Sequence, residues 1–210
     1  MSRKEEAYNY IRKGIVTGEL KGGMPILEVD LSETLHISRT PIREALRDLE
    51  AEGVVISYAS RGTFVTELTP YDVEDIFDLR LLFELWALER GINRITDTEL
   101  DIITQKLVDA EKSGNWDEDF HSDICLHTMI IEKSGSKRLV GFMNNLYTQV
   151  ERISYRAFLN KTYNRNSFQE HMELIASIRE RDLDKSREVL SRHLKAVANA
   201  AIEAFRTMRA

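Results

Sequence analysis

Apolar residues over the first fifty positions fall in short runs at helical spacing, punctuated by glycine. Tyr8, Ile11 and Ile15 recur at three- and four-residue steps before Gly18, predicting a first helix over roughly the first 18 residues, with a turn at Gly22-Gly23. A second short helix is predicted from Asp30 to Leu35, and His36-Ile37 makes the turn after it. Ser38 or Thr40 can cap a third helix that carries Pro41 in its opening turn and ends at Gly53. Ile42, Ala45, Leu46 and Leu49 give this helix one apolar face. The period then changes: Val54 to Tyr58 and Thr63 to Thr66 are β-rich runs joined by a Ser60-Arg61-Gly62 tip, which predicts a two-stranded hairpin. Helix, helix-turn-helix and hairpin, in that order, make a winged helix.

From Thr69-Pro70 onward the pattern is helical to the end, with Thr69 as N-cap, Pro70 at the first helical position and the boundary at Glu67-Leu68. Helices are predicted over about 70–93, 98–112, 117–133, 137–160, 167–180 and 184–208, and Thr96 with Glu99 offers a capping box for the second. The expected fold is therefore mainly α: a winged helix-turn-helix over 1–67 and an all-α antiparallel helical bundle over 68–210. Composition agrees, with 42% hydrophobic and 30% charged residues but only 10 Gly and 3 Pro. The single cysteine, Cys125, excludes an internal disulfide and reads as a small packing residue. No apolar run resembles a signal peptide or a membrane span, so a cytoplasmic chain with no membrane partner is expected.

Net charge is −6, which by itself argues against nucleic acid, so the distribution matters. Residues 1–66 hold 9 Lys+Arg and 10 Asp+Glu, leaving 20 of the 29 basic and 25 of the 35 acidic residues to the remainder. The first region is nearly neutral, and any DNA contact must come from where its arginines lie. Arg39, Arg43 and Arg47 repeat every four residues along the third helix, opposite its apolar face. On an isolated helix such a stripe is usually a salt-bridged surface, and Glu44, Asp48 and Glu50 would serve it. On the second helix of a helix-turn-helix it is a reading head: arginine donates twice to guanine in the major groove and also grips phosphates. Ser38 and Thr40 at its N-terminus can meet a phosphate, and Arg61 beside Gly62 at the hairpin tip can reach an adjacent groove.

Four polar residues of the second region sit where helical periodicity demands apolar ones. Asp123 and His127 are one turn apart beside Phe120, Ile124 and Ile131; His171 lines up with Leu174, Ile175 and Ile178; His193 is framed by Leu190, Leu194 and Val197. One buried histidine is usually a hydrogen-bonded core residue. Three imidazoles and a carboxylate cost several kcal/mol together, roughly, unless partnered, and one divalent cation satisfies them all. The donor set suits zinc, nickel or manganese, with positions left open for water or an anion. An open site of this kind could instead activate water in a hydrolase or lyase, or sense the metal alone.

Two stretches carry a resemblance to a known family. Ile37-Ser38-Arg39-Thr40-Pro41-Ile42-Arg43-Glu44-Ala45-Leu46-Arg47-Asp48-Leu49-Glu50-Ala51-Glu52-Gly53 closely resembles the recognition-helix signature of GntR-family transcription regulators, and Arg61-Gly62-Thr63-Phe64-Val65 looks like their wing. Asp123-Ile124-Cys125-Leu126-His127, Ser134-Gly135-Ser136, Glu170-His171 and His193-Leu194 resemble the FCD effector domain of the FadR subfamily, in a six-helix, VanR-like form. Two positions depart from the family: Val29 stands where some members have an arginine, and Ser136 where asparagine is common. The resemblance implies a metabolite-responsive homodimer on operator DNA, a repressor rather than an enzyme. It implies base and phosphate contacts from Arg39 and Arg43, with Arg47 after them. It also implies metal ligation by Asp123, His127, His171 and His193, and a small carboxylate effector completing the site. Arg80, with Glu84 one turn on, matches an effector-facing arginine of the family, though a salt bridge between the two fits equally well; Arg152 and Arg156 are further effector candidates.

Overall fold

The computed structural model describes residues 1–160 and 166–207. Helix α1 (Arg3–Thr17) starts in a capping box between Ser2 and Glu5 and stops at Gly18, whose φ of 79° is left-handed. Strand β1 (Pro25–Ile26), helices α2 (Glu28–Leu35) and α3 (Arg39–Ala51), and strands β2 (Val55–Tyr58) and β3 (Gly62–Val65) follow. The sheet order is β1-β3-β2, antiparallel throughout, with Ser57 opposite Thr63 and Pro25 opposite Phe64. The hairpin was expected. The two-residue β1 was not, because two residues carry no periodicity.

Ala7, Ile11 and Ile15 of α1 pack on Ile42, Ala45, Leu46 and Leu49 of α3, closed by Val55 and Val65 from the sheet. Burying that face of α3 leaves Arg39, Arg43 and Arg47 exposed on the other.

Six further α-helices occur among the described residues: α4 (Pro70–Gly91), α5 (Asp97–Ser113), α6 (Trp116–Lys133), α7 (Lys137–Leu159), α8 (Ser167–Arg179) and α9 (Leu183–Thr207). A short 3-10 turn, Ile92–Arg94, follows α4. These bounds fall within a few residues of those expected; the end expected at 208 lies outside the described residues. The caps predicted at Thr69 and Thr96 are made. Thr69 and Thr96 each accept from a backbone N–H three residues on, and Asp72 and Glu99 return the bond. Ser136 also accepts from the Leu139 N–H, so the serine caps α7 in place of the family's common asparagine.

Helix α4 runs through the middle of this part, against α6 and α9, over a core that includes Leu88, Leu126, Ile130 and Leu190. The two cores meet where α1 lies along α7. Arg12 donates to Thr148 Oγ1 at 3.3 Å and pairs with Glu151, Gln149 donates to the Glu52 carbonyl at 2.9 Å, and Arg152 donates to the Thr66 carbonyl at 2.8 Å.

Gly91 lets the end of α4 approach the end of α6: a Cβ there would lie 2.7 Å from the Lys133 carbonyl carbon. Gly91→Ala should therefore destabilise the protein by about 1–3 kcal/mol despite alanine's better helix propensity. Urea unfolding of the two proteins checks this, and an unchanged or raised midpoint would show that the contact relaxes freely.

Candidate metal centre and DNA-reading surface

Three helices bring four donors into one buried polar cluster. Helix α6 supplies Asp123 and His127 from successive turns, α8 supplies His171 and α9 supplies His193, and one donor atom from each lies within 4.8 Å of all the others. His171 Nε2 is 2.8 Å from Asp123 Oδ1 and 3.2 Å from His193 Nε2, while His127 Nε2 and His193 Nε2 are 3.8 and 3.9 Å from the same Asp123 oxygen. An ion bonded at about 2.1 Å to each donor spaces neighbouring donors about 3.0 Å apart at octahedral angles and about 3.4 Å apart at tetrahedral ones. Three Nε2 atoms and one carboxylate oxygen at these separations fit a divalent ion.

A second ring of carboxylates orients the imidazoles. His127 Nδ1 donates to Glu84 Oε2 at 2.5 Å, and His193 Nδ1 donates to Glu170 Oε2 at 3.0 Å. Each bond fixes the tautomer that turns an Nε2 lone pair toward the cluster. Glu84 also accepts from Arg80 Nε at 2.6 Å, both groups fully buried. The arginine and glutamate thus form the salt bridge and border the cluster as well: Arg80 Nη2 lies 3.9 Å from Asp123 Oδ2. Arg80 Nη2, His127 Nε2 and the Tyr147 hydroxyl are buried without a hydrogen-bond partner. Such orphans cost about 1–3 kcal/mol each unless a water, an ion or a ligand meets them.

The charges reinforce one another. Burial works to raise the Asp123 and Glu84 carboxyls, but His127 and Arg80, with His171 in the case of Asp123, outweigh it and hold both low, Glu84 at about 2. Burial and then the neighbouring His171 push His193 down to about 4. Burial and Glu84 raise the Tyr147 phenol, which stays neutral. Asp123 is thus an ionised carboxylate and His193 a neutral imidazole, the forms in which each can bind a metal.

The remaining sequence candidates divide. Arg152 and Arg156 share a face of α7, but their contacts are elsewhere: Arg152 bonds Thr66, after β3, and the Arg156 guanidinium lies 4.1 Å over the Phe205 ring of α9. Four-residue spacing put the two on one stripe without saying which neighbour the stripe meets; of the three arginines expected at the effector, the fold brings only Arg80 to the cluster. On α3, Arg39, Thr40, Arg43 and Arg47 are exposed, and Ser38 is the N-cap residue with no side-chain cap bond. Arg61 and Gly62 form the wing tip, with Arg61 stacked over Tyr58 and Gly62 at a φ of 90°. One partner was not anticipated: Arg43 Nε donates to both Glu28 oxygens, at 2.9 and 2.8 Å. That grip is made through Nε.

The family models place this architecture. Residues 75–196 match the FCD domain and residues 3–65 match the bacterial regulatory proteins of the gntR family. The chain belongs to the GntR-family transcription regulators that carry an FCD domain. The gluconate operon transcriptional repressor of Bacillus licheniformis is 29% identical over 182 residues, 83% of this chain and 74% of its own length. A GntR transcriptional regulator from Rhodococcus sp. RHA1 superposes with a TM-score of 0.81 at 18% identity, over 98% of this chain and 100% of its own. The Zn2+-bound FCD domain of TM0439 superposes with a TM-score of 0.54 at 24% identity, over 68% of this chain and 97% of its own. The families and relatives are transcription regulators, not enzymes, which removes the hydrolase and lyase alternatives.

With His193 near 4 when folded and near 6.5 when unfolded, the unfolded chain binds the extra proton between those values. Metal-stripped protein should therefore lose stability as pH falls from about 6.5 to about 4, and His193→Gln should flatten that slope. Urea midpoints measured across this window check it; equal slopes for the two proteins would contradict it.

Proposed function

We propose that this chain is a DNA-binding repressor whose FCD part, residues 68–210, holds a divalent metal on Asp123, His127, His171 and His193 and releases operator DNA when a small carboxylate binds there. The observation that carries the reading is the buried, unpartnered Arg80 Nη2 beside Asp123 and the cluster. A guanidinium nitrogen placed there is satisfied by an anion, and a carboxylate can bridge it to an open metal position. Zinc, nickel and manganese all suit three imidazoles and a carboxylate. When bound, the metal supplies a fixed positive charge. The chain's own residues do the rest: Glu84 aims both Arg80 and His127, and Glu170 aims His193.

DNA reading falls to residues 1–67, with Arg39, Arg43 and Arg47 in the major groove, Ser38 and Thr40 at phosphates, and Arg61 with Gly62 on the wing. A homodimer would present two such heads to two half-sites. Its contact is assigned to the outer faces of α4 and α7, where Leu82, Trp86 and Phe142 stand exposed around an apolar cavity. The repressor sense is that of the Bacillus licheniformis relative's name. A transcription regulator of this kind works in the cytoplasm, and no helix among the described residues is long and apolar enough to cross a membrane.

Two sets of variants test the reading. His171→Ala should lose metal yet keep operator binding. Arg80→Met should keep metal but lose release by the acid that acts on wild type, tested with citrate, gluconate and lactate in a fluorescence-anisotropy assay. Zinc-dependent release without any acid would assign the signal to the metal instead. On the DNA side, Arg39→Ala should cost about 1–3 kcal/mol of operator discrimination. Glu28→Ala should lower the ratio of operator to random-DNA affinity, because Arg43 loses the carboxylate that aims it. A rise in affinity for both DNAs would mean that Glu28 only repels phosphates.

A further inference from the structure

The first turn of α2 carries an exposed apolar side chain next to the arginine stripe of α3. Glu28, the residue that opens the helix, reaches across to α3, where both of its oxygens accept from Arg43 Nε at 2.9 and 2.8 Å. That ion pair fixes the start of α2 against the middle of the Arg39, Arg43 and Arg47 stripe. One turn on, Ser32 donates to the Ile37 carbonyl at 2.6 Å and ties α2 to the turn before α3. Val29 follows Glu28, about 100° further round the helix. Leu31 takes the buried side, and Val29 is left 43% exposed.

Single exposed aliphatic side chains are common on protein surfaces, so exposure alone says nothing. Placement does. A surface that enters a major groove meets donors, acceptors and one apolar group, the thymine C5-methyl. Arginine takes the acceptors of guanine, whereas a valine neither donates nor accepts, and among base edges only that methyl offers it a contact. Glu28 does not stand in the way, because Arg43 already occupies both of its oxygens and matches its charge. Asp30 falls about 160° round the helix from Glu28, on the opposite flank. Val29 thus continues the arginine stripe with the complementary chemistry.

We propose that Val29 reads a thymine methyl group in the operator, at the base pair beside the one that Arg43 contacts. The inference rests on α3 being the reading helix and adds to it a specificity-determining residue from α2. The ion pair turns position into a prediction: Glu28 holds Arg43 and Val29 is its neighbour, so the thymine and the Arg43 base pair keep the same spacing in both half-sites. Taking one methyl group out of water changes affinity by about fourfold. That is enough to bias one position of each half-site toward thymine, and too little to anchor the complex.

The test uses the full-length chain and duplexes chosen by selection from a random-sequence library, with affinities from fluorescence anisotropy. Selection with Arg43→Ala marks the base pair whose preference that arginine sets. At the thymine beside it, deoxyuridine should weaken wild type by about fourfold, and 5-methylcytosine should bind about fourfold better than cytosine. Val29→Ser should bind the thymine and deoxyuridine duplexes within about twofold of each other, while Val29→Ile should discriminate as wild type does; the position is exposed, so both variants keep the fold. Wild type indifferent to deoxyuridine at every thymine of the half-site, or Val29→Ser as discriminating as wild type, would overturn the proposal. So would a changed mass of the free protein in Val29→Ser, which would assign the side chain to a contact between copies. Arg39→Ala separates the two levels: lost operator discrimination with no methyl effect removes the thymine contact alone, and full discrimination in Arg39→Ala removes the reading of α3 with it.

Discussion

Helix α4 places an arginine and a glutamate one turn apart in the buried core, and the rest of the site is arranged around their cost. Burying Glu84 is tolerable because Arg80 and His127 both donate to it. Each donor then has one nitrogen left over, Arg80 Nη2 and His127 Nε2, and both remain without a protein partner. The same carboxylate thereby aims one group suited to an anion and another suited to a cation. Asp123, His171 and His193 complete the cationic side, and Glu170 does for His193 what Glu84 does for His127.

The cluster also ties together the bundle's elements, since its groups come from α4, α6, α8 and α9. Helix α7 contributes differently. Tyr147 is electrostatically coupled to Glu84, Arg80 and Asp123, while the next residues, Thr148, Gln149, Glu151 and Arg152, hold α1 and the ends of the winged helix. One stretch of one helix thus borders the Asp/His cluster and carries the junction to the winged helix.

Much of this was legible from residue patterns. Helical periodicity with the caps at Thr69-Pro70 and Thr96-Glu99 placed the starts of α4 and α5, because caps are local chemistry. The four candidate ligands showed themselves as polar residues on apolar faces. Glu84 carried the same signal, one turn from Arg80, but pairing it with His127 requires knowing that α4 crosses α6. Arg152 and Arg156 lie away from the cluster for the related reason that a stripe on α7 does not name the element it faces. Glu28 gave no signal, since its bond to Arg43 spans the helix-turn-helix and depends on how α2 and α3 cross. Strand β1 was invisible because two residues show no period.

The central claim is that Asp123, His127, His171 and His193 hold one divalent ion whose open side faces Arg80. Anomalous diffraction from crystals of the full chain, loaded with zinc and measured at the zinc edge, tests it most directly. The account predicts a single strong peak per chain at about 2.1 Å from the three Nε2 atoms and Asp123 Oδ1, with its unfilled coordination toward Arg80 Nη2. A loaded protein with no peak there, or with its only peak on surface carboxylates, would contradict it and leave the cluster a hydrogen-bonded polar core.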